Sequence, residues 1–284
     1  MYKKKGFEME KKTKKIQRFL SGVILFPIVA LIFIFANDIE LDILLAIVSV
    51  MCVYEYANCY KTGNKSHPSK WYMYLISLLI IGTSFLPGEA LKEILITILP
   101  ISILILTAEM VFSKGRKNIN DVTVTIFGIV YIPLMLIFFS IIRSKFELGK
   151  VLIWYIFISA WGSDIFAYLV GSRIGKHKFT KISPNKSIEG CVAGVVGAVV
   201  IAIIYTIAIN SIMHTNISVL IASIIVIILS IIGQTGDLAA SSIKRYCGIK
   251  DFSEVIPGHG GLLDRIDSVI LILPFAYILL GILV

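Results

Sequence analysis

Charge is what this chain has least of. Only 16% of its 284 residues are Asp, Glu, Lys or Arg, while 57% are hydrophobic and the mean hydropathy is +0.89. A soluble domain carries about 25% charged residues, so this composition excludes one and points to a polytopic helical membrane protein. Stretches of alternating polar and apolar residues are missing too, which argues against a lipid-facing β-barrel. The four cysteines, Cys52, Cys59, Cys191 and Cys247, form no CxxC pair. They fall in spans or cytoplasmic segments, so neither disulfides nor a zinc site is expected. The apolar run after the basic N-terminal stretch lacks a small-residue cleavage site. It reads as an uncleaved first span, not a signal peptide. No repeat relates the two halves, which argues against the paired-repeat plan of many transporters.

What is present is a series of apolar runs. The pattern predicts an all-α fold of about nine transmembrane helices, near 19–36, 40–57, 72–87, 94–112, 123–142, 151–170, 190–213, 217–236 and 266–284. Each is long enough for a hydrocarbon core of roughly 30 Å, the third being the shortest. With the N-terminus in the cytoplasm, 23 of the 27 Lys and Arg residues fall on the cytoplasmic side. Only Lys92, Arg143, Lys145 and Lys150 do not, and this asymmetry fixes the expected orientation. The expected organisation is a basic tail over 1–18, a five-span scaffold over 19–150 and a four-span catalytic region over 151–284, all in the plasma membrane. Glu55 and Glu109, near the cytoplasmic ends of their spans, are assigned interfacial or packing roles.

The stretch from Ser241 to Ser268 breaks the apolar pattern. It contains Lys244, Arg245, Lys250, Asp251, a Pro257-Gly258-His259-Gly260-Gly261 turn, Asp264, Arg265 and Asp267. Packing between two spans gives no reason for such a block. Chemistry on a phosphorylated substrate does: carboxylates hold a divalent metal, cations hold phosphates, and glycines let the backbone approach closely. By the topology this block is cytoplasmic, where nucleotides are.

Further polar residues point the same way. Asp164 lies about two turns inside an apolar run, where an unpaired carboxylate costs about 2.5–3.5 kcal/mol, so a polar cavity or a cationic partner is expected. The loop over 171–190 contains Gly171-xxx-Gly175-Lys176, one residue too short for a phosphate-binding P-loop and following a helix instead of a strand. In the next span, Gly190-xxx-Gly194 and Ala193-xxx-Gly197 mark close helix packing, either internal or in a homodimer. A helix carried past Asp237 to about Arg245 would set Asp237, Ser241 and Lys244 on one face.

The string Ser241-x-x-Lys244-Arg245, then Lys250-Asp251, then Pro257-Gly-His-Gly-Gly-x-x-Asp264-Arg265-x-Asp267-Ser268 resembles the signature of the phosphatidate cytidylyltransferase family. The Gly236-Asp237-Leu run and the Ser183-Pro184-Asn185-Lys186-Ser187 loop resemble its other blocks. Where that loop commonly reads Ser-Pro-Lys-Lys-Thr, Asn185 and Ser187 stand here, so one cation is lost and the hydroxyl is kept. The resemblance implies transfer of a cytidylyl group from CTP to phosphatidic acid at the membrane surface, with Mg²⁺ and no nucleic acid. On that basis Asp237 and Asp264 are the expected metal ligands, with Asp267 and Asp251 secondary. Lys186, Lys244, Arg245 and Arg265 are expected on phosphates. Ser183, Ser187 and Ser241 are hydroxyl donors, and Asp164, Asn185, Lys250, Asp251, Gly260 and Gly261 are further substrate contacts. His259 is assigned a phosphate or loop role, with acid–base work as the alternative. A CTP-dependent polyprenol or phytol kinase is the nearest rival; a transporter using Asp164 and Asp237 as ion sites and an inactive scaffold are others.

Overall fold

The computed structural model of the chain describes residues 31–86, 88–180, 182–184, 186–255 and 260–283, with backbone alone at 88–91. The basic tail, most of the first expected span, Asn185 and His259 lie outside the described residues. Among those described, the chain is helical throughout. After a short helical stretch at 31–35 come α1 (Asp38–Thr62), α2 (Lys70–Gly82), α3 (Gly88–Phe112), α4 (Ile119–Tyr131), α5 (Pro133–Lys145), α6 (Gly149–Phe157), α7 (Ser163–Ile174), α8 (Ile188–Met213), α9 (Val219–Tyr246) and α10 (Leu263–Leu280). A π-helical turn, Ile158–Gly162, joins α6 to α7 without interrupting the rod.

Local chemistry sets the helix starts. Asn37 and Glu40 form a reciprocal capping box at α1, and Asn118 with Asp121 does the same at α4. Ser187 and Ser218 cap α8 and α9 through their hydroxyls. Each bond satisfies a backbone N–H that the first turn leaves without a partner. Pro133 opens α5 at a kink in one continuous apolar rod, since proline cannot donate its missing N–H within a helix.

Among the described residues, five helical segments are long and apolar enough to cross a membrane: Lys92–Phe112, Ile119–Lys145, Gly149–Ile174, Ile188–Met213 and Val219–Tyr246. Their outer faces present Leu104, Ile204 and Leu220, each at least 63% exposed, as lipid-facing residues do. Helices α1 and α10 bring charge into the assembly: the buried Asp42 and Glu55 on α1, and Asp264, Arg265 and Asp267 on α10.

Glycines draw the second half together. A Cβ on Gly194 would lie 2.7 Å from the Ser163 carbonyl, and one on Gly197 would enter the Phe166 ring. The small-residue stripe of α8 is therefore packed on α7 inside the chain. A Cβ on Gly236 would lie 2.8 Å from the Asp267 carbonyl, and one on Gly233 would be 2.7 Å from Ile272. Without side chains there, α9 and α10 come close enough for their polar ends to meet.

The basic loops collect at one end. Asp121 accepts from Ser66 Oγ and the His67 N–H at 2.6 Å each, Lys117 donates to the His67 carbonyl, and Gly63 lies against the Cys247 backbone. Two of the four exceptions to the charge asymmetry are engaged at the opposite end. Arg143 is buried, donates to the Phe33 carbonyl at 2.9 Å and pairs with Asp38 at 3.2 Å; Lys145 stacks over Tyr277.

Candidate active site

Two ion-paired centres lie where α9 and α10 carry their charges. In the first, Lys186, from the loop before α8, pairs with Asp237 on α9. Burial alone would weaken the Lys186 ammonium, but the Asp237 carboxylate beside it outweighs that and holds its pKa above the ordinary lysine value. Asp164 faces the same place. It lines a cavity of about 600 Å³ together with Tyr168, Lys178, Ser183, Lys186 and Ser187, and it lies within electrostatic reach of Lys186, Asp237 and Arg265. Asp164 thus shares a cavity wall with a cation, Lys186.

In the second centre, Lys244 is nearly fully buried. Its ammonium donates to Asp264 Oδ1 at 2.6 Å, stands 4.0 Å from Asp267 Oδ2 and sits over the Phe252 ring. Asp237 and Lys244 lie two turns apart on α9, which does run unbroken to Tyr246. The two centres are coupled, since Asp237 and Asp164 act electrostatically on Asp267.

Asp264 is also the hub of the loop before α10. Its Oδ2 accepts from the Phe252 N–H at 2.8 Å and the Gly261 N–H at 2.9 Å. Gly260 has φ +83°, in the left-handed region, and a Cβ there would meet Asp264 and Asp251 as well.

The remaining expected residues are placed as follows. Arg265 has a buried Nε with no hydrogen-bond partner among the described residues, and its carbonyl accepts from Trp161 Nε1 at 3.4 Å. Arg245 is exposed and donates to the Ile249 carbonyl. Ser241 is buried on α9. Ser187 spends an acceptor on the Gly190 N–H as helix cap, although its hydroxyl lines the cavity. Lys250 and Asp251 are exposed. Lys244, expected on a phosphate, is here the cation between Asp264 and Asp267.

Three contributors escaped the sequence reading. Gln234 lines the cavity, its amide donating to Ser163 Oγ and the Cys191 carbonyl. The π-turn at 158–162 precedes Asp164, a placement π-turns often take at functional sites. Glu55 of α1 is 1% exposed and accepts from Ser253 Oγ at 2.6 Å, the Leu262 N–H at 2.9 Å and the Leu263 N–H at 2.7 Å. The signal was available: like Asp164, Glu55 is a carboxylate within an apolar run.

The donor set suits a hard divalent cation, being all carboxylate oxygen. Among the described residues no three His, Cys, Asp or Glu side chains are gathered as a ready metal cluster.

Comparison with known proteins decides the family. A sequence profile described as "Cytidylyltransferase family" matches residues 16–283. The chain belongs to the cytidylyltransferase family. Among its relatives, a phosphatidate cytidylyltransferase of Bacillus subtilis is 31% identical over 268 residues, covering 93% of this chain and 97% of the relative. One of Staphylococcus haemolyticus is 35% identical over 206 residues, 72% of this chain and 76% of the relative. One of Staphylococcus aureus is 39% identical over 173 residues, 60% and 63%. For a cytidylyltransferase, the two ion-paired centres and the cavity beside them are the natural place to look for chemistry.

Proposed function

We propose that this cytidylyltransferase converts CTP and phosphatidic acid to CDP-diacylglycerol and pyrophosphate. The observation that carries the reading is the convergence of Asp164, Asp237, Asp264 and Asp267 with Lys186, Lys244 and Arg265 beside an open cavity, in a chain that matches the family over residues 16–283. A phosphate oxygen of the lipid forms a bond to the α-phosphorus of CTP, and the bond from that phosphorus to the bridging oxygen of the β-phosphate breaks. Both reactants are anions, so repulsion and leaving-group charge are the barriers.

The residues answer both. Asp237 and Asp264, with Asp267, would hold Mg²⁺, and a divalent ion there would neutralise phosphate charge. Lys186 carries fixed positive charge into the cavity wall, Arg265 lies within electrostatic reach of Asp164, and the Arg265 Nε, without a hydrogen-bond partner among the described residues, is suited to a phosphate oxygen. Lys244 stands between Asp264 and Asp267, 2.6 Å from one carboxylate and 4.0 Å from the other. No general base is required, because the lipid phosphate is ionised near neutral pH.

One substrate is a lipid and the other is dissolved, so the site belongs at an interface. We place it on the cytoplasmic face of the plasma membrane, in a chain of nine spans with a cytoplasmic N-terminus. The gathering of the basic loops at one end of the described helices supports this.

Asp237→Asn keeps the shape and removes the charge. It is expected to leave helicity and detergent-solubilised monodispersity unchanged and to cut pyrophosphate release by at least about 100-fold. A variant with near-normal turnover contradicts the assignment of Asp237.

A further inference from the structure

Helix α10 delivers Asp264 and Asp267 to the site, yet it has no cap of its own: Leu262 sits at its N-cap position and offers no side-chain acceptor. A buried helix start with free N–H groups costs about 1–3 kcal/mol per group. The acceptors come instead from two carboxylates. Asp264 takes the Gly261 N–H, and Glu55, more than two hundred residues away in sequence, takes those of Leu262 and Leu263. Glu55 also takes the Ser253 hydroxyl, so it grips both ends of the loop that runs from Phe252 to Leu262. A negative charge at this position also opposes the positive end of the helix dipole.

The fit is tight. A Cβ on Gly261 would lie 2.6–2.8 Å from the Glu55 carboxylate atoms. This gives Gly261 a reason that substrate contact does not: it leaves room for Glu55.

We propose that Glu55 is a positioning residue for the transfer reaction, capping α10 from the N-terminal half and so fixing where Asp264 stands. This rests on the reading of Asp264 as part of the active site. A glutamine at position 55 keeps one oxygen but turns an NH₂ donor toward backbone donors, so the cap is lost while volume is kept.

The test combines hydrogen–deuterium exchange on the substrate-free protein with steady-state kinetics. Glu55→Gln is expected to raise amide exchange over 252–263 by about tenfold, leave α4 to α6 unchanged, and lower kcat by about tenfold with KM for CTP within about threefold. Ser253→Ala, which removes one of the three donors, is expected to show the same pattern at about two- to fourfold. Gly261→Ala is expected to impair turnover, and Glu55→Asp in the same chain to restore part of it by withdrawing the carboxylate. Unchanged exchange and kcat within twofold in Glu55→Gln overturn the proposal. So does exchange that rises across α4 to α6 while Ser253→Ala is silent, which marks Glu55 as general packing. If the wild type releases no pyrophosphate, the functional reading fails while the exchange result still decides the cap.

Discussion

Lysine 186 joins the loop before α8 to Asp237, and its charge state governs what that junction can do. Because Asp237 raises its pKa above the ordinary 10.5, the ion pair contributes fully below about pH 10 and is lost only as pH climbs through the raised value. Lys186 is therefore charged across the whole working range. Lys186→Gln is expected to lower kcat/KM by about 10- to 100-fold, the worth of a charge-assisted bond of about 1.5–3 kcal/mol. The ratio to wild type should be the same at pH 6.5 and pH 9. A ratio that closes toward one by pH 9 would mean that Lys186 titrates in that range. Other residues were legible only in part. Asp164 stood out because a carboxylate inside an apolar run needs a partner, and Asp237 and Asp264 because they belong to the polar blocks that carry the family resemblance. The identity of the partner did not: nothing in the spacing says that Lys244 turns to Asp264 and Asp267, or that Arg143 reaches back to Asp38 and the Phe33 carbonyl.

At the scale of elements, the meeting of α9 and α10 is the contact that makes the site. The Gly236 position touches backbone, the Asp267 carbonyl at 2.8 Å and Ser268 Cα at 3.2 Å, and backbone cannot swing aside as a side chain can. Gly236→Ala is expected to destabilise by about 1–3 kcal/mol and to lower turnover as well, since it pushes Asp267 away from Lys244. Gly82→Ala is the control: nothing lies within 4 Å of a Cβ there, so thermal unfolding in the same detergent should be unchanged or slightly raised. Equal behaviour of the two variants would contradict the close-contact account. Element positions were readable because a span must be apolar for about 20 residues. The expected run at 123–142 is the α4–α5 rod, 151–170 is α6 through α7, and 190–213 is α8. The run at 217–236 is the apolar part of α9, which continues past Asp237 to Tyr246, much as the expected extension to about Arg245 has it, on backbone bonds that take no account of polarity. The closeness of two helices depends on which glycines face each other, and a single apolar pattern does not carry that.

At the scale of the molecule, the two halves divide the labour less cleanly than the sequence suggests. The N-terminal scaffold supplies Glu55 to the loop of the C-terminal half, and Gly63 packs on Cys247. The site is thus built across the chain, with its charges at one end of a helical assembly whose exterior is apolar. That geometry suits a reaction between a lipid phosphate and a soluble nucleotide. Its central claim concerns which phosphorus of CTP is attacked. Purified protein in detergent–phosphatidic acid micelles, given CTP labelled at the α- or the γ-phosphate, with and without Mg²⁺, reads this directly. The account predicts α-label in the lipid and γ-label in pyrophosphate, both only with the metal. Entry of γ-label into a lipid alcohol supplied alongside, with release of CDP, would contradict it.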